Sequence, residues 1–142
     1  MKISCVRRIE FDAAHRIMNH ESKCKYLHGH RYAIEATFCA DDLDDLGRIV
    51  DFSIIKEKLG KWLDDNWDHA TILYEKDQQL GKAISGVTEQ KIFYLQNNPT
   101  AENMASYLIG EICPQLFSGL GICCTHIRLY ETPNCSVEVT IT

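Results

Sequence analysis

The sequence predicts an α+β fold of order ββααββ, an antiparallel four-stranded sheet with two helices on one face. Three features predict it: strand-like alternation near the N-terminus, two stretches of helical periodicity in the middle, and alternation again at the C-terminus. Residues Ile3 to Ala14 mix β-branched and charged residues with partial alternation and read as a strand. Asn19 to Lys25 is a polar loop. From His28 to Cys39, His28, His30, Tyr32, Ile34, Ala36 and Phe38 fall on one face, with Arg31 and Glu35 on the other. The two strands pair as a long antiparallel hairpin, followed by an acidic turn over Asp41 to Gly47.

Asp51 caps a helix running to about Asp65, because Phe52, Ile55, Leu59, Trp62 and Leu63 recur at helical spacing. A second helix starts after Asn98-Pro99-Thr100, with Thr100 as N-cap and Glu102 in the first turn, where a negative charge suits the helix dipole. Its apolar stripe is Met104, Ala105, Leu108, Ile109, Ile112 and Leu116. Between the helices, Tyr74 to Gln96 has no strong period and carries Gly81 and Gly86, which predicts a long irregular connection, helical at most in part. Cys124 to Tyr130 and Ser136 to Thr142 alternate around the turn Thr132-Pro133-Asn134 and give the last two strands.

A chain of 142 residues with 45% apolar content is expected to form one domain, 1–142. Its 15 basic and 20 acidic residues give a net charge of −5 without a basic block, which argues against nucleic acid as a partner. No stretch approaches the ~20 apolar residues of a membrane helix, and MKISCVRRIEFD lacks the apolar run of a signal peptide, so a cytoplasmic protein is expected. The seven cysteines are odd in number and show no paired CxxC spacing, which disfavours a disulfide framework or a Cys-rich zinc site. Cys5, Cys39, Cys113 and one of the pair Cys123 and Cys124 read as small buried apolar residues. Cys24, in a polar segment before a histidine pair, does not.

Period two puts the imidazoles of His28 and His30 on the same face of a strand, a spacing at which two ligands can grip one metal ion. A lone HxH is more often a pair of ordinary histidines. Four of the six histidines, however, lie between residues 15 and 30, and His15 ends the neighbouring hairpin strand where it can meet the pair. Three neutral imidazoles leave a fourth tetrahedral position open, the arrangement of a catalytic zinc. Cys24 is either an exposed loop thiol or, beside a cation and Lys25, a thiolate suited to accept a proton. Asp68-His69 is either a surface pair or a carboxylate that supports an imidazole. Glu131 is either an edge charge or a carboxylate able to accept two parallel hydrogen bonds from a guanidine-like ring edge.

The segments Phe11-Asp12-Ala13-Ala14-His15, Cys24-Lys25-Tyr26-Leu27-His28-Gly29-His30, Val50-Asp51-Phe52, Asp68-His69, Pro99-Thr100-Ala101-Glu102-Asn103 and Tyr130-Glu131-Thr132-Pro133 occur in one order over nearly the whole chain. Together they resemble the tunnelling-fold (T-fold) pterin synthases, a family that comprises 6-pyruvoyl tetrahydropterin synthase and the bacterial 6-carboxytetrahydropterin synthase of queuosine biosynthesis. The resemblance implies Zn2+ on His15, His28 and His30, Cys24 as proton acceptor, and Asp68 with His69 as a second acid/base unit. It further implies that Glu131 anchors the pterin ring and joins the proton relay, with Thr100 and Glu102 making further ring contacts. The implied substrate is 7,8-dihydroneopterin triphosphate, and the implied assembly is a homohexamer, a dimer of trimers, with active sites at subunit interfaces.

Three residues separate Cys24 from His28, as in the carboxy-forming bacterial enzymes; the animal-type pyruvoyl synthases resemble a longer spacer, and a related folate-pathway group carries glutamate at the thiol position. The resemblance therefore implies a lyase that eliminates triphosphate and then breaks a carbon–carbon bond to release acetaldehyde. The alternatives are a 6-pyruvoyl synthase, which keeps the side-chain carbons, and a T-fold protein that binds a pterin or purine without turnover. Two departures stand out. The family often continues Asp-His as Asp-His-x-x-Leu-Asn, where this chain has Ile72 and Leu73, and the Tyr74 to Gln96 connection is longer than in compact bacterial members.

Overall fold

A computed structural model describes residues 1–141; the expected end of the last strand at Thr142 lies outside the described residues. The hairpin is present, with β1 over Cys5–His15 and β2 over His28–Ala40, antiparallel from Cys5 opposite Phe38 to His15 opposite His28. Asp51 caps the first long helix, its side chain accepting from the Ser53 amide. That helix runs through Phe52–Ile55, one π-helical stretch Lys56–Gly60, and Lys61–Asn66.

The expected four-stranded antiparallel sheet with two helices is corrected here: the sheet has six strands, is mixed, and is accompanied by a third helix. A strand not foreseen, β3 (Ala70–Tyr74), leads into the segment read as irregular, Tyr74 to Gln96, which itself contains a short helix (Gln78–Thr88) and β4 (Ile92–Leu95). β3 runs parallel to β1, and β4 runs parallel to β3. The first long helix carries the chain back across the sheet, so that β3 enters on the free side of β1 in the same direction. β3 is buried from Ala70 to Leu73, and a strand covered on both faces has no alternation by which to recognise it.

The second long helix starts at the Thr100 cap, whose hydroxyl accepts from the Asn103 amide, and continues through Ala101–Tyr107, a π-helical Leu108–Ile112 and Cys113–Phe117. β5 (Ile122–Thr132) and β6 (Cys135–Thr140) complete the sheet in the order β4-β3-β1-β2-β5-β6. Two bulges bend β5. One skips Thr125 and turns Cys124, Ile127 and Leu129 inward; the other leaves Glu131 as the extra residue between the paired Tyr130 and Thr132.

The core lies between the long helices and one face of the sheet, where Phe11, Tyr32, Ile34, Phe38, Leu59, Leu63, Trp67, Met104, Leu108, Ile127 and Leu129 are buried. Phe11 stacks on Tyr32 with ring centroids 5.1 Å apart. Of the cysteines, Cys113 and Cys124 are buried and Cys123 is exposed, as the sequence suggests; Cys5 and Cys39 are only half-buried because they lie towards the open end of the hairpin.

The short helix is held at its N-terminal half. Arg16, next to His15, forms a two-pronged ion pair with Asp77 at 2.6 and 2.5 Å, and Asp77 is buried. Gly81 lies against the Tyr94 hydroxyl so closely that a β-carbon would overlap it, whereas Gly86 on the same helix has open space. Alanine in a helix normally gains about 1 kcal/mol over glycine. Gly86→Ala is therefore expected to raise the melting temperature, and Gly81→Ala to lower stability by about 1–3 kcal/mol through overpacking. Thermal denaturation of the two variants checks the opposite signs.

Candidate metal centre and acid/base pair

The hairpin register places His15 directly opposite His28 and Ala13 opposite His30, so the three imidazoles share the core-side face at its loop end. Ala13 is small, which leaves room for the rings to converge. Their centroids lie 4.7, 5.1 and 4.9 Å apart pairwise, and one ring nitrogen from each falls within 4.8 Å of the others. His15 is buried at 2% exposure, while His28 and His30 are half-buried.

Backbone carbonyls fix two of the rings. His15 Nδ1 donates to Pro99 O at 2.7 Å and His28 Nδ1 donates to Tyr26 O at 2.7 Å, because a carbonyl can only accept. Each neutral ring then carries its lone pair on Nε2, and the two Nε2 atoms face each other at 3.2 Å. Two facing lone pairs repel unless a cation or a proton lies between them. His30 Nε2 is buried and has no hydrogen-bond partner among the described residues; Glu131 Oε2 stands 3.7 Å away. Three converging nitrogen donors, two with carbonyl-anchored second nitrogens, fit a divalent metal of the zinc type.

Electrostatics favours the neutral forms of His15 and His30. Burial, partly offset by the Pro99 carbonyl and reinforced by His28 and His30, lowers the His15 pKa from 6.5 to about 4. Burial also lowers that of His30 against the opposing pull of Glu131. In the metal-free protein the unfolded chain takes up a proton at His15 between pH 6.5 and about 4 that the folded chain refuses. Stability should therefore fall as pH drops through that window, by about 3 kcal/mol over the full shift. Urea unfolding of chelator-treated protein at pH 6.5 and about pH 5, above the range of ordinary carboxylates, checks the onset; equal midpoints contradict it.

The Pro99 carbonyl is positioned by its neighbour. Asn98 accepts from the Met18 amide at 2.9 Å and donates to the Met18 carbonyl at 3.2 Å, tying the loop after β1 to the start of the second long helix. Tyr32, fully buried with an unpartnered hydroxyl, packs edge-on against His15 and His30. Burial and then the Glu131 carboxylate push its pKa upward, so it stays protonated. Spacing in the sequence puts Tyr32 on the histidine face of its strand but gives no sign of Asn98 or the two anchoring carbonyls, because these act through contacts made by folding.

Cys24 lies half-buried in a helical turn, Lys23–Lys25, on the loop joining β1 to β2, with its carbonyl accepting from the Ile17 amide at 2.8 Å. It does not join the cluster of ring nitrogens. Glu131 reaches the cluster by way of the β5 bulge. Thr100 is one residue from the carbonyl that anchors His15, but its hydroxyl is engaged in the helix cap, and Glu102 is exposed in the first turn.

Asp68 and His69 do touch: Asp68 Oδ2 lies 2.8 Å from His69 Nδ1. Asp68 Oδ1 accepts from the Asp12 amide at 3.0 Å, and the His69 amide donates to the Asp12 carbonyl at 2.6 Å. Hydrogen bonding to Asp68 and its charge raise the His69 pKa. Burial pushes the Asp68 carboxyl up, but the Asp12 amide and His69 together bring it below its usual value. Asp12 and Arg31 are register partners on the face of the hairpin opposite to His15 and His30, and the Asp68–His69 pair is clamped to Asp12. The histidine side chain is 77% exposed on that face. Within one chain, then, His15, His28, His30 and Glu131 gather on one side, and Asp68 and His69 on the other. No helix among the described residues is long and apolar enough to cross a membrane.

The model of one protein family, 6-pyruvoyl tetrahydropterin synthase, matches residues 4–141. A protein of Rickettsia felis named 6-carboxy-5,6,7,8-tetrahydropterin synthase is 53% identical over 137 residues, covering 96% of this chain and 99% of that protein. One of the same name from Haemophilus influenzae is 28% identical over 138 residues, covering 93% and 94%. Among solved structures, a protein of Wolinella succinogenes superposes with a TM-score of 0.84 at 18% identity over 100% of this chain and 99% of that chain. The 6-pyruvoyl tetrahydropterin synthase of Caenorhabditis elegans does so at 0.72 and 18% identity, over 99% and 96%. These two likenesses show the fold, and the family match over nearly the full length shows that the chain belongs to the 6-pyruvoyl tetrahydropterin synthase family.

Proposed function

We propose that this chain is a 6-carboxy-5,6,7,8-tetrahydropterin synthase, a zinc-dependent lyase. It converts 7,8-dihydroneopterin triphosphate and one water to 6-carboxytetrahydropterin with release of acetaldehyde and triphosphate, in the cytoplasm and on the route to queuosine. The observation that carries the reading is the convergence of His15, His28 and His30, with two Nε2 lone pairs facing at 3.2 Å and a third buried nitrogen without a partner. The name borne by a 53% identical relative points to the same reaction.

When bound, the zinc supplies a Lewis-acid charge that draws electron density from the substrate's side-chain oxygens. Glu131 accepts two hydrogen bonds from the amino-pyrimidine edge of the pterin, which fixes the ring, while Thr100 and Glu102 at the start of the second long helix make the remaining ring contacts. Cys24 takes a proton from the side-chain carbon on one side, and His69, held by Asp68, gives or takes one on the other. Loss of that proton sets up elimination of the triphosphate.

Because Asp68 and His69 face away from the three histidines of their own chain, a complete site needs a second copy. A homohexamer of two stacked trimers, with sites between subunits, meets that need. Residues 1–142 form one domain in each copy. Incubation of 7,8-dihydroneopterin triphosphate with the protein, with and without chelator, tests the function by product mass. The expected result is 6-carboxytetrahydropterin and acetaldehyde that vanish with chelator. A product retaining the side-chain carbons makes the chain a 6-pyruvoyl synthase, and binding without conversion makes it a pterin-binding protein.

A further inference from the structure

His69 adopts a left-handed backbone conformation, with φ at 58°. For a residue with a β-carbon this costs of order 1 kcal/mol, and it persists only where the surroundings impose it. The imposing contacts come from three directions. The His69 amide is bound to the Asp12 carbonyl and the imidazole to Asp68, as described above. The third contact comes from the far end of the connection: Gln90 Nε2 donates to the His69 carbonyl at 3.1 Å.

Gln90 is itself fixed. Its Oε1 accepts from the hydroxyl of the buried Thr71 at 2.7 Å, and its backbone amide donates to Thr88 Oγ1 at 3.1 Å. The side-chain amide cannot be turned over, because the carbonyl of His69 requires a donor. Gln90 follows Glu89, whose φ of 61° ends the short helix, so the close of that helix delivers the side chain to His69. Gln90, His69, Asp12 and Arg31 also line one shallow cavity of about 380 Å³.

We infer that Gln90 is a positioning residue for His69: its side-chain amide holds the left-handed backbone that aims the imidazole into this cavity. The inference rests on the reading of His69 as a proton carrier given under Proposed function. It assigns a task to the segment that joins the short helix to β4, which among the described residues makes no other hydrogen bond to a proposed site residue. Removing the amide leaves Asp12 and Asp68 as tethers on one side only, and the peptide after His69 is free to turn.

The test uses Gln90→Ala and Gln90→Met in the full-length, metal-loaded protein, since methionine keeps the length and lacks both donor and charge. Each is followed by NMR titration of the His69 ring and by kinetics with 7,8-dihydroneopterin triphosphate. Asp68, Asp12 and Arg31 are the charged groups that bear on that ring and stay unchanged. Expected in both variants are a His69 midpoint lowered towards that of a free histidine and kcat reduced about tenfold or more, with KM within about twofold. Metal content and melting temperature stay near wild type. A His69 midpoint and kcat unchanged in both variants overturn the inference. His69→Ala, measured in parallel, separates the two levels: if it turns over normally, the proton-carrier reading falls, whereas a displaced midpoint in Gln90→Met still demonstrates the tether.

Discussion

Replacing His28 by alanine is expected to strip the protein of metal, from about one ion per chain to a tenth or less, and to lower turnover at least about a hundredfold. His28 is the informative ligand to remove. It is half-buried and its ring is hydrogen-bonded to the Tyr26 carbonyl near the loop, so its loss disturbs the core less than loss of a fully buried ring. His15, by contrast, is 2% exposed, and truncating it combines loss of a ligand with loss of packing. The variant also relieves the facing lone pairs of His15 and His28, so the metal-free fold should be no less stable than metal-free wild type. Metal analysis after gel filtration, with circular dichroism as the control for folding, checks the outcome. Retention of a full complement of metal in His28→Ala would mean that the ion is held elsewhere.

The second large effect separates the thiol from the metal. Cys24→Ala should keep its full metal content, because Cys24 stands outside the cluster of ring nitrogens, and yet lose about 10²- to 10⁴-fold in kcat, the range for removal of a positioned proton acceptor. Its carbonyl bond to Ile17 belongs to the backbone and survives the change, so the loop keeps its course. Substrate binding, measured with an inert pterin, should stay within about threefold of wild type, since removing a group that acts in proton transfer does not remove uniform binding. Normal conversion by Cys24→Ala would show that some other group takes the proton.

Much of this arrangement is legible in the residues themselves, and the parts that are not have definite causes. The alternation from His28 to Phe38 predicts the hairpin, and with it the shared face of His15, His28 and His30, because antiparallel pairing brings the two strand ends together. The caps at Asp51 and Thr100 are visible as side chains whose oxygens suit a free helix amide. The two extra strands are not visible in the same way: Ala70–Tyr74 is buried on both faces and Ile92–Leu95 is short, so neither shows a period. Gly81 and Gly86 disguise the short helix that contains them, between β3 and β4, one glycine being demanded by the Tyr94 hydroxyl.

The site divides along similar lines. Asp68 next to His69 in sequence says nothing about contact, and it is the Asp12 backbone that turns the pair towards each other. Glu131 comes within 3.7 Å of His30 through a bulge that pairing alone reveals. That His69 faces away from the metal side also emerges only from the register, since Asp12 and Arg31 alternate with the inward residues of both strands.

The central claim is that three imidazoles, and no sulfur, hold the metal. The visible and near-ultraviolet spectrum of the cobalt-substituted protein tests it most directly. Nitrogen-only coordination predicts weak ligand-field bands and no sulfur-to-cobalt charge-transfer band, in wild type and Cys24→Ala alike. An intense charge-transfer band in wild type that disappears in Cys24→Ala would place the thiol on the metal and contradict its role as the free proton acceptor.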